Sequence, residues 1–393
     1  MIRKFKDNIY EVGARDWDRT LFDELIPLPN GTSYNSYIIK GTEKTALIDT
    51  VDPTKKDELI NNLKTLGIKR LDYIVSNHAE QDHSGSIPFV LEMFPEAKVV
   101  TNEKCKNMLI EHLLVDENKF LVINDNETLS LGDKTLQFLI TPWVHWPETM
   151  LTYLIEDRIL FPCDFLGSHR ASSSLFISDE KITYFDAKRY FAEIMMPFRT
   201  IIKKHISRVE SLDVDYIAPS HGEIYDKPEF IINAYKEWIS DDVKNLVIIP
   251  YVSMHDSTEE MVKRLIDELV KRNIEVKPFN LVNADIGEIA ITLVDAATII
   301  VGAPALLVGT HPAVISAVYL VNALRPKTKF VSIIGSYGWG TKLIEHITSL
   351  ITNIKPEILN PVLTKGFPKS GDYNEISRLA DDILEKHKSL NLI

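Results

Sequence analysis

From about Asn245 onward the chain repeats one pattern: a short apolar run, a loop, then a stretch with helical spacing. The strand-like runs are Leu246–Val252, Glu275–Leu281, Thr298–Ala303, Phe330–Gly335 and Ile358–Leu363. Helical spacing marks Thr258–Lys271, Ile286–Val294, Pro312–Leu324, Lys342–Thr352 and Tyr373–Lys388. Strictly alternating strands and helices of these lengths constrain the fold more than any other feature, because successive strands joined by helices must run parallel. Five such units in about 150 residues predict a doubly wound α/β sheet.

The residues before it follow another pattern. Thr45–Thr50 (TALIDT) and Leu71–Ser76 (LDYIVS) are strand-length runs, and Tyr153–Phe161, with Glu-Asp-Arg at its centre, suits a hairpin. Tyr190–Leu212 and Pro228–Lys244 carry helical spacing. A chain of 393 residues exceeds what one core usually serves. Two domains are therefore expected, 1–243 and 244–393, with the boundary in the polar stretch Ser240-Asp241-Asp242-Val243-Lys244. The net charge of −12 argues against a nucleic-acid partner, which needs a basic surface. Cys105 and Cys163 are the only cysteines and form no disulfide framework or Cys-x-x-Cys site. No apolar run reaches the roughly 20 residues that span a bilayer, and the mixed charges of Met1–Asp7 do not resemble a secretory signal. A cytoplasmic enzyme in a reducing compartment, without a membrane partner, is the expectation.

Chemistry concentrates at the ends of the strand-like runs of the first part. After LDYIV comes Ser76-Asn77-His78-Ala79-Glu80-Gln81-Asp82-His83-Ser84-Gly85, with four N and O donors within six residues. His145 follows in Thr141-Pro142-Trp143-Val144-His145-Trp146-Pro147-Glu148, Asp164 in Pro162-Cys163-Asp164-Phe165, and His221 in Ala218-Pro219-Ser220-His221-Gly222. Any one of these would more often be a satisfied structural residue. Four histidines and three carboxylates that can reach a shared edge are enough for two metals.

In the second part, Tyr251-Val252-Ser253-Met254-His255-Asp256-Ser257-Thr258 joins a strand to a helix start. Ser253, Ser257 and Thr258 offer hydroxyls, and Met254 and His255 lie between them. A helix N-terminus adds free N–H groups, which together suit a phosphate monoester. Alone, the same residues are more readily a helix cap. Two later loops after strands shift the balance: Ala303-Pro304-Ala305, and Ser336-Tyr337-Gly338-Trp339-Gly340 with its small residues and aromatic rings for a flat ring system. No dinucleotide glycine fingerprint and no phosphate-loop lysine is present.

The first set resembles the metallo-β-lactamase fold, an αββα sandwich whose usual motif is His-x-His-x-Asp-His. Here Glu80 replaces the second histidine, which hardens the site and shifts it from zinc toward iron or manganese. The second part resembles flavodoxin with its FMN. Together they resemble the flavodiiron protein family, A-type, along the whole chain. The resemblance implies one iron held by His78, Glu80 and His145, another by Asp82, His83 and His221, and Asp164 bridging them. It implies FMN contacts at the loops named above, although many members have Thr where this chain has Ala305, and it places Tyr190 near the gas-binding position. Further implications are reduction of dioxygen or nitric oxide, a homodimer or dimer of dimers, and a separate electron donor, since no rubredoxin-like cysteine pair is present. The stretch DELIPLPNGTSY lacks the histidine many bacterial members carry there. It looks more like the methanogen branch, whose donor is a reduced deazaflavin coenzyme rather than a rubredoxin-like protein. The rival readings are a dinuclear-zinc hydrolase with a fused flavodoxin-like domain, against which Glu80 speaks, and an electron carrier whose first domain is a metal-free docking module, against which the complete ligand set speaks.

Overall fold

The computed structural model describes residues 2–393. The chain divides into two compact units. One runs to Phe191 and resumes over Phe198–Ile239; the other comprises Ala192–Pro197 and Ser240–Ile393.

The first unit holds two mixed sheets. One has seven strands in the order Arg3–Lys6, Ile9–Glu11, Tyr37–Lys40, Thr45–Ile48, Tyr73–Val75, Lys98–Thr101 and Phe120–Val122. The other orders Thr128–Ser130, Thr135–Ile140, Met150–Leu154, Ile159–Phe161 and Tyr216–Ile217. Strand side chains alternate between faces, and both faces of the larger sheet are buried. Ile38, Leu47, Ile74 and Val99 pack with Leu59, Leu63, Val90 and Leu109 of the helices Lys56–Thr65, Ile87–Met93 and Glu103–Leu113. Their neighbours Tyr37, Ile39, Ile48, Val75 and Val100 pack with Leu136, Phe138, Met150, Leu154 and Phe161 of the second sheet. Each such side chain removed from water contributes roughly 1.5–3 kcal/mol before entropy is counted. The hairpin expected over Tyr153–Phe161 forms, with Leu154 opposite Ile159.

Two helix expectations need correction. In place of one helix over Tyr190–Leu212, the helix Glu180–Tyr190 is followed by a π turn at Phe191–Met195, a 3-10 turn at Met196–Phe198 and a second helix, Arg199–Glu210. Pro197 lies in the break, where it has no N–H to donate and its ring obstructs a continuous helix. The helix from Pro228 stops at Ile239, and Lys244 already opens a strand.

The second unit has a parallel sheet in the order Glu275–Asn280, Lys244–Tyr251, Ala296–Leu306, Phe330–Tyr337, and a fifth strand in two pieces, Glu357–Ile358 and Val362–Lys365. This is the 2-1-3-4-5 order of flavodoxin-like folds. The fifth strand breaks at Leu359-Asn360-Pro361, where Pro361 lacks a ladder donor and the Ser332 hydroxyl donates to the Leu359 carbonyl at 3.2 Å. The third strand runs beyond its expected end at Ala303 to Leu306, then pairs antiparallel with Gly309–Thr310. Among the described residues no helix is long and apolar enough to cross a membrane.

Candidate metal centre and cofactor cleft

Strand ends deliver the donors of the first unit. His78 and Glu80 follow Tyr73–Val75, and Asp82 and His83 sit in the short helical turn Gln81–Ser84. His145 lies in the loop before Met150–Leu154, Asp164 follows Ile159–Phe161, and His221 follows Tyr216–Ile217. Hydrogen bonds pin the first loop: the buried Asp49 carboxylate accepts from the Asn77 backbone N–H at 2.8 Å and its side-chain amide at 2.9 Å.

All seven sequence-predicted donors converge, and they do so as two sets. Donor atoms of His78, Glu80, His145 and Asp164 lie within 4.8 Å of one another, as do those of Asp82, His83 and His221. Glu80 Oε2 is 3.1 Å from both His78 Nε2 and His145 Nε2. Asp82 Oδ2 is 3.3 Å from His83 Nε2 and 3.1 Å from His221 Nε2. Asp164 stands between. Its Oδ2 faces His78 and His145 at 3.5 and 3.3 Å, and its Oδ1 faces His83 and His221 at 2.8 and 3.2 Å.

Electrostatics show what this arrangement asks for. Burial alone would keep the imidazoles neutral, but the carboxylates outweigh it. His145 is pulled up to about 9 by Asp164 and Glu80, and His221 to about 10 by Asp164 and Asp82. Burial pushes the Asp164 and Glu80 carboxyls up, yet the surrounding histidines hold both below the usual carboxylate range. Both Asp82 oxygens, both Asp164 oxygens and His83 Nε2 are nonetheless buried without a hydrogen bond. Buried polar groups normally have partners, and converging Asp82 and Asp164 oxygens left unpaired beside His83 Nε2 form a set that a cation would satisfy. The residues fit a pair of metal ions.

Several supporting residues were not singled out in the sequence. Glu148 Oε1 lies 2.6 Å from His78 Nδ1, and His221 Nδ1 donates to the Ser33 carbonyl at 2.6 Å. Such partners fix a ligand ring and leave Nε2 for the metal. Glu148 could have been suspected from its place three residues after His145, whereas Ser33 contributes a backbone atom that no residue-type signal can reveal. His169, five residues past Asp164, packs its ring 4.6 Å from that of His221. Tyr190 is buried at the same corner, its ring 4.8 Å from His169 and 5.9 Å from His221. Burial, then the Asp164 charge, pushes the Tyr190 hydroxyl far above its usual value. The Cys163 thiol is also pushed well up, by burial and the charges of Asp49 and Asp164, so it stays a neutral space-filler.

The matched family model, described as an ODP family beta lactamase, covers residues 32–222. A flavo-diiron protein of Clostridium acetobutylicum is 31% identical over 396 residues, covering 96% of this chain and 98% of the relative. This chain belongs to the flavo-diiron proteins. A nitric oxide reductase of Moorella thermoacetica is 37% identical over 341 residues, 85% of each chain. The rubredoxin oxygen:oxidoreductase of the anaerobe Desulfovibrio gigas superposes over 100% of both chains with a TM-score of 0.94 at 28% identity. Like these relatives, the flavo-diiron protein described here is an oxidoreductase.

The second unit of this flavo-diiron protein has a cleft of about 380 Å³ at the carboxyl ends of its strands. Ser253, Met254, His255 and Ser257 line it from the first loop, Pro304 and Ala305 from the second, and Ser336, Tyr337, Gly338 and Trp339 from the third. Three expected contacts are not in its wall. Thr258 is buried against Ser336, 3.0 Å between hydroxyls; Ala303 is buried within its strand; and Gly340 lies outside the lining. Leu306, Leu307 and Gly366 line it unforeseen, the leucines because the third strand extends past Ala303. Ser253 Oγ accepts from the Glu259 N–H at 3.2 Å, so this serine also caps the helix.

Proposed function

We propose that this flavo-diiron protein reduces dioxygen to water, nitric oxide to nitrous oxide, or both, with FMN in the cleft of the second unit and two irons in the donor sets of the first. One observation carries the reading: the two oxygens of Asp164 face two separate sets of imidazoles and carboxylates. Glu80 supports iron over zinc, because it makes each set carry carboxylate as well as imidazole. Two irons and an FMN would supply the electron transfer that no side chain here can.

The chain's own residues then have definite tasks. Glu148 and the Ser33 carbonyl hold His78 and His221 with Nε2 facing inward. Phe22, Tyr34 and Tyr190 wall the His221 side with ring surface and keep water from the reacting atoms. Ser253, Ser257 and Ser336 offer hydroxyls to a phosphate in the cleft, and Trp339 and Tyr337 offer faces to a ring system.

The likeness of DELIPLPNGTSY to the methanogen branch supports a reduced deazaflavin coenzyme as donor, with a rubredoxin-like protein the other candidate. Two buried free cysteines suit a reducing compartment such as the cytoplasm. The active unit is proposed to be a homodimer, or a dimer of dimers, in which FMN of one chain serves the irons of the other. Mixing Asp164→Ala chains with Ser257→Asp chains tests this: mixed dimers that recover no activity mean each chain reduces its own irons.

Elemental analysis and anaerobic gas-consumption assays with several donors test the central reading. About two irons and one FMN per chain, with turnover of either gas, are expected. Two zinc ions and no gas turnover would instead establish the hydrolase.

A further inference from the structure

His169 is a fifth histidine at the metal centre and the one without a place in either donor set. It is 8% exposed. Its ring is enclosed by Phe22 at 4.9 Å, Tyr190 at 4.8 Å and His221 at 4.6 Å between centroids. Nδ1 is 2.9 Å from the Thr32 hydroxyl oxygen, while Nε2 is buried with no hydrogen-bond partner among the described residues.

Hydrogen-bond accounting fixes which nitrogen carries the proton. The other groups near Thr32 Oγ1 are His221 Nδ1 and the Ser33 carbonyl, each at 3.4 Å. His221 Nδ1 already donates to that carbonyl at 2.6 Å, so it is a donor and cannot take the Thr32 hydrogen. Of the two remaining acceptors, His169 Nδ1 at 2.9 Å is within ordinary hydrogen-bond reach of the hydroxyl and the Ser33 carbonyl at 3.4 Å is not, which assigns the hydroxyl hydrogen to Nδ1 and the His169 proton to Nε2. A buried N–H with no acceptor is costly and persists where an acceptor arrives with a ligand.

We infer that the His169 Nε2–H donates a hydrogen bond to the small molecule bound on the His221 side of the metal centre, making His169 a catalytic residue fixed in tautomer by Thr32. The inference rests on the metal occupancy proposed above. Dioxygen and nitric oxide gain negative charge as they are reduced, and a donor set in place beforehand stabilises that charge without reorganisation.

Azide, a small anionic ligand, serves as the probe, titrated optically into the air-oxidised, iron-loaded full-length protein. Iron content is measured first in every variant. Parent protein without iron would overturn the functional reading and this inference together. With two irons present, His169→Leu should bind azide about 10- to 100-fold more weakly, the cost of one hydrogen bond to a charged group. His169→Gln, whose amide can donate from a similar place, should recover most of the affinity. Unchanged binding in His169→Leu, or equal weakening in the Leu and Gln variants, would overturn the inference while leaving the two-iron reading intact. Should His169→Leu fail to hold iron, Thr32→Val decides: weaker azide binding at full iron content supports the tautomer argument, and parent-like binding refutes it.

Discussion

His145 and His221 of the first unit and His387 of the second are all largely buried, yet they behave in opposite ways. In the first, His145 and His221 are surrounded by Glu80, Asp82 and Asp164, and are pulled up to about 9 and about 10. In the second, His387 is fully buried between the Thr298 hydroxyl and the Asn245 amide oxygen, each at 2.8 Å, and burial takes it down to about 4. Burial alone favours the neutral ring, and only nearby carboxylates reverse it. The same residue type is thus part of a charged cluster waiting for cations in one place and an ordinary hydrogen-bonded core group in the other. A histidine in a sequence says little until its carboxylate neighbours are known.

Asp164→Ala carries the largest expected effect. It removes the one group whose oxygens face both imidazole sets, leaving four histidines with fewer counter-charges in a buried space. Loss of both metals and of at least about 1,000-fold in gas turnover is expected, with FMN still bound in the second unit. A variant that retained two irons would break the reading of the centre as a shared-carboxylate site. Next in size is Ser257→Asp in the cleft. A carboxylate placed where a phosphate is proposed should weaken FMN binding by about 100-fold or more through like-charge repulsion in a partly enclosed site. Stoichiometric FMN in the purified variant, by absorbance, would remove this loop from the site.

The two units were also legible in different ways. The second could be read from order alone: alternating strands and helices specify a parallel sheet, and the observed elements match those expected to within a few residues. Its contacts were harder. Thr258 looks equivalent to Ser257, yet helical geometry turns it inward onto Ser336. Leu306 and Leu307 enter the wall only because the third strand runs on past Ala303. In the first unit the strands were only partly readable, since short mixed sheets leave no periodic signature, and helical spacing on both sides hides the break near Pro197. The donors were readable because His, Asp and Glu at strand ends are chemically conspicuous. Asp49, Glu148 and the Ser33 carbonyl were not, because they act through hydrogen bonds that only the fold creates.

A smaller effect tests those supporting bonds. Glu148 is buried and its carboxylate meets His78 Nδ1 at 2.6 Å and the Ala79 N–H at 3.1 Å. Replacing it with Ala frees the His78 ring to rotate and makes Nε2 a poorer donor, without removing any ligand atom. Loss of about 10- to 100-fold in iron affinity is expected, measured by competition with a chelator. If affinity is unchanged, the strand and loop alone hold His78, and the comparison between a supported metal centre and a plain core histidine loses its sharpest element.

The smallest effect lies at His387 and concerns acid stability. Its folded-state value, about 4, lies below the ordinary value of 6.5, so the unfolded chain takes up a proton at higher pH than the folded one. The sign follows: the stabilisation is complete above pH 6.5 and is lost progressively as pH falls toward 4. Between pH 7.5 and 5.5 this one group should cost the second unit about 1 kcal/mol of stability. His387→Gln retains an amide that can bond Thr298 and Asn245 but cannot titrate. Urea unfolding of the full chain at the two pH values, followed through the second unit's transition, should show a smaller pH dependence in the variant than in the parent. Equal slopes would mean that His387 is protonated in the folded state despite its burial, and the contrast between the two kinds of buried histidine would fail at its simpler end.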